Sequence, residues 1–144
     1  MRLLFITCCA AIISFTNIVH GDTAISSDPV KTPVGALVSD MRFAMLMCEM
    51  QAATASLQGK LDYSCRDEYL KSIKPVYAAA ADSLSKNKPA LGMLKDLYAY
   101  WITTITTINP SAGELRVQYQ ARTKEREAGV NERINRLLLE INEM

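Results

Sequence analysis

The residues with the most definite chemistry are two cysteines. Cys48 sits in the apolar run Phe43-Ala44-Met45-Leu46-Met47-Cys48-Glu49-Met50, and Cys65 opens the segment that follows it. The chain has four cysteines, and the other two, Cys8 and Cys9, fall in an apolar N-terminal stretch that reads as a removable leader. Two cysteines left in an oxidising compartment pair most simply with each other. A Cys48–Cys65 disulfide would clip two consecutive helices together, so neither thiol would be a catalytic nucleophile.

The remaining reactive types are few. The single histidine, His20, lies in the leader. Without it there is no Ser-His-Asp or Cys-His catalysis, no zinc site with imidazole ligands and no histidine-ligated haem. No C-x-x-C pair, no phosphate-binding glycine loop and no acidic calcium loop is present. Asp67 with Glu68, and Glu125 with Glu127, are close in sequence, but neighbours one or two apart on a helix point away from each other. The expectation is therefore a protein that is not an enzyme and holds no metal or cofactor. Three residues are candidates for partner contact. Arg122 and Arg126 continue the inward stripe of the last helix through its polar middle, where they could receive an acidic partner. Tyr100 lies off the main stripe of its helix, as a surface aromatic would.

Residues 1–21 have the form of a secretory signal: a positive Arg2, an apolar stretch from Leu3 to Phe15, and Val19-His20-Gly21 before the cut. The apolar stretch is shorter than the roughly 18–20 residues that cross a bilayer, so no integral span is expected after processing. Loss of Arg2 from the chain's 16 Lys and Arg leaves them balanced against 15 Asp and Glu. A chain near neutrality has no electrostatic reason to bind nucleic acid or anionic lipid. Export and a disulfide indicate a periplasmic or secreted protein.

Four elements must position these residues. Residues 22–33, with two prolines and no period, read as a flexible tail. Val34 to Ser56 reads as a helix with Leu37, Met41, Ala44, Cys48 and Ala52 on one face. Phe43, Leu46, Met47 and Met50 make it apolar on other faces too, which marks a buried, central helix; an adaptable methionine-rich binding surface is the other reading. Gly59 ends that pattern. Ser64 is placed to cap a second helix, Cys65 to Ser85, which Pro75 should kink or divide. Cys48 lies about 12 Å from the end of the first helix. Residues 57–63 must therefore double back so that the second helix begins beside it. A third helix runs from Pro89 to Ile108. Its Ile-Thr-Thr run is rich in β-branched residues, but the isoleucines recur every three positions, not every two. Asn109-Pro110 stops it. Ser111 and Glu114 match a capping box for a last helix from Ala112 to Asn142, which could break at Gly129.

The fold class that follows is all-α: four principal helices in a compact bundle over residues 34–144, with one disulfide between the first two. The expected function is interaction with a protein partner, as an inhibitor or immunity-type binder of an envelope-acting enzyme. An accessory subunit of an envelope or secretion assembly, docking by its last helix, is the alternative. So is a carrier of an apolar small molecule held between the first and third helices.

Overall fold

The computed structural model describes residues 32–142. The expected leader, and the tail up to residue 31, lie outside the described residues. Four α-helices follow one another: α1 (Pro33–Leu57), α2 (Ser64–Ser83), α3 (Lys88–Thr106) and α4 (Arg116–Asn142). No strand occurs among the described residues. α1 packs on α2 and α3, α2 packs on α3, and α3 packs on α4.

Local sequence explains most of the helix ends. Thr32, assigned to the tail, instead caps α1: its Oγ1 accepts from the Gly35 N–H at 2.9 Å, and Pro33 fills the first turn. Asn87 caps α3 in the same way, accepting from the Ala90 N–H at 3.1 Å ahead of Pro89. At the end of α1 the Lys60 N–H reaches the Ala55 carbonyl and the Gly59 N–H reaches the Ser56 carbonyl, both at 3.0 Å. Gly59 takes the positive φ of 66° that this termination requires.

The β-branched run at the end of α3 is helical, and its hydroxyls turn back on the helix. Thr103, Thr104 and Thr106 each donate to the carbonyl four residues earlier, at 3.1, 3.0 and 2.8 Å.

Four expectations are corrected. Ser64 does not cap α2; its Oγ donates to the Asp62 carboxylate at 2.7 Å, and the Ser64 N–H bonds the same oxygen at 2.9 Å. Asp62 therefore organises the start of α2 from outside it. Pro75 does not divide α2, which continues unbroken through it. Pro75 and Lys71 are both exposed, so the Lys71 carbonyl that loses its helical donor can be solvated. The last helix begins at Arg116 and not at Ala112. Gly113 sits at φ 75°, a left-handed conformation a helix cannot include. Glu114 does reach back to the Ser111 N–H at 2.8 Å, but the helix-opening bond runs from the Leu115 N–H to Gln118 Oε1 at 3.0 Å. Finally, α1 is not buried all round. Its neighbours cover one side only, and Phe43, Leu46 and Met50 remain 54%, 56% and 58% exposed.

The core lies where α1, α2 and α3 meet, extended by Val130, Ile134 and Leu137 of α4. Trp101 is completely buried at its centre, and its indole N–H donates to the Met41 carbonyl of α1 at 3.1 Å. Tyr98 stacks between Trp101 and Tyr77, with its ring centroid 3.9 Å from that of Tyr77 on α2. The aromatic column joins α2 to α3, and the indole hydrogen bond ties it to α1. Trp101→Ala should destabilise the fold by about 3–5 kcal/mol. Chemical denaturation checks this, and an unchanged midpoint would show that the indole does not hold the helices together.

The disulfide joins Cys48 of α1 to Cys65 of α2, with Cα atoms 5.5 Å apart. The connection between them doubles back as its length demands. Gln51 of α1 holds it by donating to Asp62 at 2.5 Å and to Ser64 at 3.0 Å. Asn109, after α3, donates to the Asp62 carbonyl at 3.1 Å. Closing a loop of 17 residues stabilises a fold by about 3 kcal/mol on the chain-entropy account.

Candidate interaction surface

The polar middle of α4 turns inward to the connection that precedes it. Arg122 bonds both carboxylate oxygens of Glu114, each at 2.7 Å. Its remaining donors reach the Thr107 carbonyl at 2.6 Å and the Asn109 carbonyl at 3.1 Å. Arg126 donates to the Thr107 carbonyl at 2.9 Å and also to the Thr107 hydroxyl. The two arginines thus take up carbonyls just past the end of α3, where the helix leaves acceptors without donors. The Arg122 guanidinium, aided by the Ser111 N–H, lowers the Glu114 carboxyl from its ordinary 4.5 to about 2.

Tyr100 is half-buried against α4, and the Arg133 guanidinium lies 3.8 Å from the centre of its ring. Arg133 also bonds Asp96 at 3.0 Å and the Gly129 carbonyl at 3.1 Å. The ring passes so near Gly129 that a Cβ there would lie 2.4 Å from the Tyr100 hydroxyl oxygen and 2.7 Å from Cζ. This approach explains a glycine inside a helix that nevertheless runs straight through it. All three candidate residues are therefore engaged within the chain. Of the sequence-adjacent carboxylates, Asp67 pairs with Arg66 at 2.7 Å, while Glu68, Glu125 and Glu127 are exposed.

The unengaged surface lies on α1. Ala36, Phe43, Met50 and Leu57 recur every seven residues along the helix, with Ser39, Leu46 and Ala53 between them. This is the alternating three-and-four spacing of a helix–helix seam, and it lies opposite the Leu37, Met41, Ala44 and Cys48 face that fills the core. No charged residue occupies it. Leu57 is 83% exposed, and Met47 borders the stripe. On the α2 flank the Phe43 ring meets Tyr69 edge-on, with centroids 6.3 Å apart. On the α4 flank a groove of about 450 Å³ separates the two helices, lined by Met45, Leu46, Val130 and the polar side chains of Arg42, Glu49, Glu127 and Asn131. Arg42 reaches Asn131 across it at 3.3 Å. The signal for this surface was in the sequence: two apolar stripes on one helix call for two sets of partners, and the described residues supply one.

No family model, curated protein or solved structure matches this chain. The fold and surface define its class by themselves: a small disulfide-clipped four-helix domain with an uncharged apolar helix face turned outward.

Substitutions examine the contacts that α4 makes with α3 and with the connection before it. Glu114 titrates lower in the folded chain than in the unfolded one, so its ion pair contributes fully above roughly pH 5 and is lost as pH falls through 4.5 towards about 2. Urea unfolding across that range should show a decline that is shallower in Glu114→Gln; an unchanged profile would remove Glu114 from the acid response. Gly129→Ala, favoured by about 1 kcal/mol in an open helix, should instead cost about 1–3 kcal/mol through overpacking on Tyr100. Adding Tyr100→Ala should turn the effect of alanine at 129 favourable. Thermal or chemical unfolding of the single and double variants checks this, and a stabilised Gly129→Ala variant would disprove the close approach.

Proposed function

We propose that the protein acts by protein–protein contact in the periplasm or outside the cell, with the outer face of α1 as its contact surface. The observation that carries this reading is the uncharged stripe through Phe43, Leu46 and Met50, more than half exposed at each of these residues. Contiguous apolar surface of this kind marks interaction sites, and aromatic residues and methionine are enriched in them. Methionines at positions 47 and 50 suit a surface that adapts to its partner. The form of action we favour is that of an inhibitor or immunity-type protein that covers an envelope-acting enzyme. The Cys48–Cys65 bridge supports export to an oxidising compartment. No helix among the described residues is long and apolar enough to cross a membrane. The protein-contact reading is favoured over a carrier because Trp101 and Met41 fill the space between α1 and α3 that a carried molecule would need.

The test is capture from an envelope extract on the immobilised, oxidised protein, in parallel with a Leu46→Glu/Met50→Glu variant. Both positions are exposed, so the variant should keep the parent's unfolding midpoint. The parent should retain a partner that the variant loses, and an enzyme so captured should lose activity on adding the parent protein. Identical capture by both would remove α1 from the contact surface.

A further inference from the structure

The flanks of the α1 stripe carry information about what covers it. Residues 42 and 49 occupy equivalent positions one heptad apart, on the same side of the stripe. One is Arg42 and the other Glu49. Both border the groove on the α4 side, and neither forms an ion pair within the described chain. Two α1 helices laid antiparallel about a two-fold axis between residues 45 and 46 would bring Arg42 of each copy to Glu49 of the other. The same operation sets Phe43 of each copy between Leu46 and Met50 of the other, at the middle of the seam. It places Ala36 of one copy between Ala53 and Leu57 of the other. Asp40, on the opposite flank, then falls opposite Gln51, so no like charges meet. A parallel pairing gives none of this: residue 42 would face Met47, and residue 49 would face Thr54.

We propose that the outer face of α1 is covered by the same face of a second copy of this chain, antiparallel and two-fold symmetric, with reciprocal Arg42–Glu49 pairs bordering an apolar seam. Such an isologous contact closes on itself, so a dimer forms without further growth. The proposal rests on the reading of this face as a contact surface and names its occupant. A foreign partner using the face would compete with the second copy.

Sedimentation velocity of the oxidised protein over a micromolar concentration series tests it. The expected result is a monomer–dimer equilibrium that Leu46→Glu shifts to monomer. Arg42→Glu alone and Glu49→Arg alone should each weaken the dimer about tenfold, because each sets two like-charge pairs across the axis. The double variant, Arg42→Glu with Glu49→Arg, should restore parental affinity, which also shows that the substituted chains fold. Monomer at every concentration overturns the proposal. So does a dimer indifferent to Leu46→Glu, or single variants that the double does not rescue. A chain that stays monomeric yet loses a captured envelope protein in the Leu46→Glu/Met50→Glu variant keeps its contact surface but not this occupant. If neither association nor capture responds, both readings fall.

Discussion

The covalent tie between Cys48 and Cys65 constrains everything around it. Cys48 lies well inside α1, on the face that fills the core. Bringing α2 to that point forces the chain to leave the end of α1, reverse, and return along the helix before a new one can start. Each polar group of the connection then needs a partner. Gly59 closes the end of α1, Asp62 accepts from the first turn of α2, and Gln51 holds Asp62 against α1. Three hydrogen bonds pull the Asp62 carboxyl below the usual carboxylate range, the Ser64 N–H first among them. The bridge therefore fixes more than a distance: it sets the place and direction of α2.

That placement decides the fate of α1. With α2 on one flank and α3 beneath, tied through Trp101 to the Met41 carbonyl, the inner stripe of α1 is satisfied. α4 packs on α3 and leaves a groove beside α1. The outer stripe is uncharged, and no helix among the described residues covers it. Among the described residues, the other helices enclose one side of α1 and not the other. An apolar face left in water raises the free energy of the isolated domain, and covering it on a protein surface recovers that energy.

The charged residues of α4 show the opposite allocation. Arg122 and Arg126 look in sequence like a stripe offered to an acidic partner, yet they draw the α3–α4 connection onto the helix. Tyr100 looks like a surface aromatic, yet it lies between Gly129 and Arg133. In each case a long or planar side chain finds partners from segments remote in sequence. Polar groups hold the joint together, while the apolar outer face of α1 is left exposed.

Periodicity and pairing by themselves determined the helical class, the four elements and the disulfide. These depend on short-range spacing, on caps adjacent to the helices they cap, and on a cysteine count with one simple solution. Only the tertiary structure decided that the Phe43, Leu46 and Met50 face of α1 stays uncovered, because the helical period shows that a face is apolar and not whether another helix packs on it. It likewise decided that Ser64 serves Asp62 instead of capping α2, and that Gly113 delays α4 until Arg116. The internal contacts of Arg122, Arg126 and Gly129 also emerged only there, since each depends on what approaches from another helix or connection. Spacing along a chain specifies which side chains share a face; only the packing of the other helices specifies whether that face meets protein or water.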